Sequence, residues 1–179
     1  MEKLSMQQLG RHSAEAFKQL EKLPLVVVLD NVRSMHNVGS IFRSADAFKI
    51  HSIYLCGFTP QPPHRDIHKT ALGSTETVAW QYFENTIDAI TQLQNQGYTI
   101  LAAEQTSAST PLQQYSWAYP QPLAVVFGNE VDGVSQAAIN LCHAVLEIPQ
   151  MGTKHSLNIS VAGGIVLWQL AQQTLPAKP

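Results

Sequence analysis

Three short clusters in this 179-residue chain combine glycines with side chains able to grip a polar ligand. The first is N-x-R-x-x-x-N-x-G-x-x-x-R, formed by Asn31, Arg33, Asn37, Gly39 and Arg43. Guanidinium and amide groups hold phosphates and hydroxyls, and Gly39 lets another backbone approach closely. The second is G-N-E-V-D-G, residues 128–133, in which glycines flank a carboxylate, so that the loop around Glu130 can bring backbone amides to a ligand. The third spans residues 148–162, from Ile148 through a glycine loop to Ser156, Leu157 and Asn158. Ser156 is a natural helix cap. Asn158 and Ser160 are odd choices within a helix built otherwise of apolar residues. Taken singly, each cluster also reads as local structure: a capped helix with a solvated arginine, a β–α turn, a cap network.

Alternating strands and helices position these clusters. Residues 3–22 place Leu4, Leu9, Phe17 and Leu20 at mostly helical spacing and predict an amphipathic helix stopped by Pro24. LVVVL (25–29) is a run without alternation, the mark of a strand buried on both faces. A helix over 38–48, a strand over 50–57 and a proline-rich loop over 59–66 follow. The next elements are a helix over 87–97, a strand over 98–103 and a strand over 122–128. A short helix over 135–142 opens at Ser135, a strand runs over 144–149, and a helix apolar nearly all round runs over 156–172. The tail LPAKP reads as frayed. This order predicts one α/β domain over 25–175 with a mostly parallel sheet, preceded by an N-terminal helical extension over 1–24. In open α/β sheets ligands bind at the carboxyl ends of the strands, and each cluster directly follows a strand.

Composition narrows the function class. Hydrophobic residues make up 45% and charged residues 13%, a globular balance. No apolar stretch reaches the roughly 18 residues a membrane helix needs, and the N-terminus lacks the apolar core of a secretion signal. Cys56 and Cys142 match no metal or redox spacing and read as buried thiols of a cytoplasmic protein. His64 and His68 lie four apart, but no further ligand cluster completes a metal site. The net charge of −2 argues mildly against nucleic acid, yet Arg33, Arg43, Lys49, Arg65 and Lys69 all fall between residues 33 and 69. Only Lys154 and Lys178 follow, so a phosphate-facing patch draws on the first third plus Lys154. No G-x-G-x-x-G follows the first strand, which sets aside a dinucleotide oxidoreductase.

The three clusters, in this order and each after a strand, resemble the three motifs of the SpoU/TrmH branch of the SPOUT RNA methyltransferases over about residues 25–172. Within the branch, I-P-Q at 148–150 and GYTILAAEQT at 97–106 are most similar to eukaryotic enzymes that methylate a D-loop guanosine of tRNA. The resemblance implies an S-adenosylmethionine-dependent transfer of methyl to a ribose 2′-oxygen of RNA, with tRNA favoured. It implies a C-terminal deep trefoil knot, which periodicity cannot show. It implies a homodimer built on the helices at 38–48 and 156–172.

By position in those motifs, Gly128, Ile148 and Leu157 would line the S-adenosylmethionine pocket, with Ala103 and Glu104 as further contributors. Arg43 matches the family's catalytic arginine. A guanidinium stays protonated to about pH 12 and above, so its expected role is to orient and polarise the hydroxyl together with an RNA phosphate. Asn37 and Asn158 would orient substrate and Arg43, Glu130 would hold its loop, and Ser156 would cap the last helix. Arg33, Arg65, Lys69 and Lys154 are the expected RNA-facing cations, Arg65 and Lys69 on a loop over 59–69 stiffened by prolines. The other reading is a non-catalytic SPOUT module that binds RNA, against which Asn37, Arg43, Glu130 and Asn158 all speak.

Overall fold

A computed structural model describes residues 2–5, 8, 10 and 12–175. β1 (Leu23–Asp30) builds the centre of the sheet. Residues 25–30 are all buried, because successive side chains enter opposite covered faces. Leu25, Val27 and Leu29 join the core on one side, and Val26 and Val28 the core on the other. α2 (Met35–Ala47) follows β1 and α1 (Ala14–Gln19) precedes it. β2 (Ile50–Cys56), α3 (Arg65–Ala71) and β3 (Ala79–Phe83) extend the sheet to one edge. α4 (Thr86–Asn95) then carries the chain to the other side of β1. There β4 (Thr99–Ala103), β5 (Thr110–Pro111), β6 (Leu123–Phe127), α5 (Gln136–Ile139) and β7 (Ala144–Glu147) complete the sheet, and α6 (Ile159–Ala171) closes the fold.

All seven strands run parallel, in the order β3-β2-β1-β6-β4-β7-β5. Residues of α2, α3 and α6 cover one face, and residues of α4 and α5 the other. The order changes direction at β1, where β6 returns between β1 and β4, and such a reversal opens a crevice at the strands' carboxyl ends. Leu29 and Ala103 both pair with Phe127, so three strands end side by side beneath that crevice.

Several elements differ from the sequence-based expectation. Of the helix expected over 3–22, the described residues show Ala14–Gln19, with residues 2–5 in coil, while residues 6, 7, 9 and 11 lie outside the described ones. α1 buries no side chain, so amphipathic spacing has no core to act on. The expected loop over 59–69 yields to α3 at Arg65, where the His64 ring accepts a hydrogen bond from Asp66 N and caps the helix. The last helix begins at Ile159, not at 156; Asn158 is the residue that caps it. β3 and β5 were not expected: both are edge strands, one largely exposed and one only two residues long. The tail residues 176–179 lie outside the described ones.

α2 and α3 approach closely at Gly39, where an added Cβ would collide with the Ile67 carbonyl and the Thr70 hydroxyl. Thr70 Oγ1 spans the same contact by donating to His36 O at 2.9 Å. Gly39→Ala is therefore expected to destabilise the protein by about 2–3 kcal/mol through overpacking against backbone. Urea denaturation would show this as a lower midpoint at unchanged slope, and a midpoint equal to wild type would refute the close packing.

Candidate active site

The loops that follow β1 and β6 are tied together by one carboxylate. Glu130 accepts from Arg33 N at 2.9 Å, from Ser34 N at 3.0 Å and from Asn37 Nδ2 at 2.9 Å. The two backbone donors lie at the start of α2, where unpaired N–H groups and the helix dipole favour a negative charge. Ser34 is the cap, its hydroxyl accepting from Asn37 N at 3.3 Å. Asn37 is buried and uses both ends of its amide: the nitrogen faces Glu130 and the oxygen accepts from Asn158 Nδ2 at 3.2 Å. Asn158 Oδ1 in turn accepts from Ser160 N at 2.9 Å and caps α6. The relay Glu130–Asn37–Asn158 thus joins all three sequence clusters. Burial opposes ionisation of Glu130, but donation from Arg33 N, the Asn37 amide and Ser34 N outweighs it and holds the carboxyl below its usual range.

The loop carrying Glu130 is itself closed. Asn129 N donates to Gly133 O at 2.9 Å, Gly133 N donates to Asn129 O at 3.0 Å, and Asn129 Oδ1 accepts from Val131 N at 2.8 Å. Asn129 Nδ2 donates to Asn31 O at 2.7 Å, a second tie between the loops. Beneath them, buried Asp30 accepts from Asn31 Nδ2 at 2.9 Å and from Ser135 N at 2.9 Å, and from the Thr86 hydroxyl. Asp30 was not among the residues singled out in the sequence, and Asn31 and Asn129 belonged to the first two clusters without an assigned role. The signal for Asp30 was present: a carboxylate at the end of an all-apolar strand must find donors.

A cleft of about 890 Å³ opens at the carboxyl ends of β4, β6 and β7. Ala103, Glu104, Gly128, Ile148 and Leu157 all line it. Glu130, Ser156 and Asn158 line it too. Glu104 braces the loop opposite, accepting from Val134 N at 3.0 Å and from Gln105 N at 2.8 Å. Gly128 is pressed against the Gly133–Val134 backbone, so any side chain there would collide. Gln105 Nε2 donates to His155 O at 2.9 Å and joins the cleft's two rims.

The remaining expected residues are placed as follows. Ser156 is exposed in the loop before α6 and does not cap the helix. Leu157 precedes α6, so it belongs to the cleft and not to the helix's apolar stripe. Arg43 is exposed, six residues beyond Asn37 on α2, and does not line the cleft. Arg33 is exposed at the rim, and Lys154 is exposed in the loop between β7 and α6. Arg65 and Lys69 sit one turn apart on α3, where Lys69 pairs with Asp66 at 2.6 Å. Burial pushes the thiols of Cys56 and Cys142 up to about 12, far above the range of a reactive cysteine.

A family model described as the SpoU rRNA methylase family matches residues 24–168. The chain belongs to this family. The 23S rRNA (guanosine-2'-O-)-methyltransferase RlmB of Vibrio parahaemolyticus is 32% identical over 96% of the chain and 68% of its own length. The tRNA (guanosine(18)-2'-O)-methyltransferase of Escherichia coli is 30% identical over 83% of the chain and 63% of its own length. The chain spans 64% of RlmB of Neisseria meningitidis, so it matches about two thirds of such relatives. Among solved structures, the TrmH/SpoU tRNA modifying enzyme of A. aeolicus superposes with a TM-score of 0.78 at 27% identity, covering 88% of this chain and 78% of that one. The AdoMet-bound rRNA methyltransferase of Sinorhizobium meliloti gives 0.80 at 27% identity, covering 89% and 61%.

Because Glu130 is depressed in the folded state, its contribution to stability is present above the unfolded value near 4.5 and is lost as pH falls through the folded value. Glu130→Gln should therefore lower stability by about 1 kcal/mol at neutral pH, the scale of hydrogen bonds to a largely solvated charge. The gap should close in acid. Urea titrations of both proteins at neutral pH and below the folded value check this; a gap that persists in acid would count against the charge-based account.

Proposed function

We propose that this chain is an S-adenosylmethionine-dependent RNA methyltransferase that acts on the 2′-oxygen of a guanosine in tRNA or 23S rRNA. One observation carries the reading: the relay Glu130–Asn37–Asn158 ties the family's three motif loops together beside a cleft that the second and third of them line. Both RNA classes occur among the named relatives; the likeness at 97–106 and 148–150 favours tRNA.

The cleft suits the cofactor. Its volume lies in the usual range for small ligands. Apolar Ala103, Ile148 and Leu157 suit an adenine ring, and the bare backbone at Gly128 leaves no side chain in the way. When bound, S-adenosylmethionine supplies a methyl carbon on a sulfonium leaving group. Glu130 and Asn158 line the cleft where the ribose is aligned, and buried Asn37, bonded to both, locks their orientation. Arg43, paired with an RNA phosphate, orients and polarises the hydroxyl. The absence of Arg43 from the cleft lining fits a two-fold dimer in which Arg43 of one protomer serves the cleft of the other.

A dimer is supported by α6. Val161, Ile165 and Trp168 are 50%, 39% and 49% exposed on one helix, a stripe of spacing four and three that a monomer would leave in water. Trp168 packs against Phe48 at 5.9 Å, so the stripe continues to the end of α2. The family's trefoil knot is supported by the segment between β4 and β6. Gln105 Nε2 donates to His155 O at 2.9 Å, and Trp117 N donates to Gln173 Oε1 at 2.8 Å, so that this segment holds the C-terminal stretch at both ends. Among the described residues no helix is long and apolar enough to cross a membrane; a tRNA or rRNA substrate would place the protein in the cytoplasm.

The reading is tested by transfer of labelled methyl from S-adenosylmethionine to unmodified tRNA and rRNA, followed by nucleoside mass spectrometry for 2′-O-methylguanosine. Wild type should produce it, and Arg43→Ala should abolish it while cofactor affinity stays within about tenfold, roughly 1.4 kcal/mol. Cofactor binding without transfer in wild type would favour the non-catalytic module. Light scattering should give a dimer at micromolar concentration and a monomer for Val161→Glu/Ile165→Glu. A monomeric wild type would refute the dimer.

A further inference from the structure

We propose that Phe58, Tyr82 and the guanidinium of Arg33 form a stacking platform for unpaired nucleotides flanking the methylated one, an inference that rests on the RNA-methyltransferase reading. Phe58 follows β2 and is 57% exposed; Tyr82 lies near the carboxyl end of β3 and is 37% exposed. Both stand at the edge of the sheet where ligands bind. The Arg33 guanidinium lies 5.7 Å from the centre of the Phe58 ring, and among the described residues it makes no ion pair.

The rings are exposed, but the backbone beneath them is fixed. Phe58 N donates to Asn31 Oδ1 at 3.3 Å, and Tyr82 donates its hydroxyl to Gly57 O at 3.0 Å. Next in the chain, Thr59 Oγ1 donates to Leu29 O at 3.1 Å and accepts from Val32 N at 3.0 Å. Asn31, the first residue of the first sequence cluster, is held at a φ of 56°, a left-handed conformation that asparagine tolerates better than most residues. A large aromatic ring left in water on so closely bonded a turn adds nothing to the core. It is arranged for a ligand that arrives with its own flat face.

Continuity and charge select the occupant. Asn31 O accepts from Asn129 Nδ2, and Arg33 N donates to Glu130, so the platform shares its backbone with the cleft rim. A nucleotide chain whose target ribose enters the cleft passes over this surface. Unpaired bases stack on aromatic rings and on arginine planes, and the guanidinium also faces the phosphates. A duplex keeps its base faces covered and offers nothing to such rings except at its ends.

The test uses the full chain with a fluorescein-labelled single-stranded oligoadenylate and a labelled RNA duplex, read by fluorescence anisotropy across a salt series. Phe58→Ala should weaken single-strand binding about tenfold, within the range for one stacked base, and leave duplex binding and the salt slope unchanged. Phe58→Trp should restore the affinity. Arg33→Ala should reduce the salt slope by about one phosphate contact. Calorimetry with S-adenosylmethionine should be unaffected by Phe58→Ala, which separates a lost platform from a lost fold. Unchanged single-strand affinity in Phe58→Ala overturns the proposal and leaves the patch to a protein partner. If wild type neither binds the cofactor nor transfers methyl, while Phe58→Ala still loses oligonucleotide affinity, the enzymatic reading fails and the platform stands.

Discussion

The site depends on one carboxylate placed over the start of one helix. Glu130 comes from the loop after β6, but its acceptors' partners are Arg33 N, Ser34 N and the Asn37 amide, all on the segment after β1. β1 and β6 are neighbours in the sheet and end in register, Leu29 beside Phe127. The two loops are therefore delivered side by side by strand pairing, and the carboxylate, with the bond from Asn129 Nδ2 to Asn31 O, sets their relative pose. Through Asn37 and Asn158 the same pose extends to the start of α6, 121 residues from Asn37 in sequence. A parallel sheet supplies the coarse alignment; hydrogen bonds between loops supply the fine one.

These bonds differ in what they can sustain. Glu130 is exposed, so its attraction to the helix start is screened by water and salt, and each of its bonds is worth about 1 kcal/mol. Asp30, one layer below, is buried and holds Asn31, Ser135 and Thr86 together where water cannot compete. Breaking a buried carboxylate's network costs several kcal/mol, because the charge is left without partners. The lower layer is thus shielded from water and the upper layer exposed to it.

Much of this was legible in the chain. The unbroken apolar run at 25–29 named a central strand, and the strand–helix alternation named the parallel sheet. The motif loops fell after strands, as ligand loops do, and the five residues expected at the cofactor all line one cleft. What failed was what local pattern cannot weigh. The helix expected over 3–22 had the right spacing but no partner surface. Ser156 had the right chemistry for a cap, yet the chain turns helical only after Asn158. Arg43 shows the limit most sharply: its spacing from Asn37 is fixed by one helix, but spacing on a helix does not bring it to a cleft built by other loops. Only packing between elements, or between protomers, settles such a distance.

Charge sets a further constraint on any RNA-bound state. The chain carries a net charge of −2, and Lys69 already shares its charge with Asp66. Each phosphate neutralised by a cation releases counterions and strengthens binding, but the 11 lysines and arginines are outnumbered by 13 aspartates and glutamates over the chain. Long-range attraction is therefore weak over most of the surface. Binding must come from short-range contacts that recognise shape: ring faces, a cleft of defined volume and amides fixed by a relay. Such contacts reward a correctly folded RNA and give little to a random one, because they act only when the chain is already in place. In the proposed methyl transfer, weak general attraction combined with exacting local geometry places selectivity at the alignment of one hydroxyl.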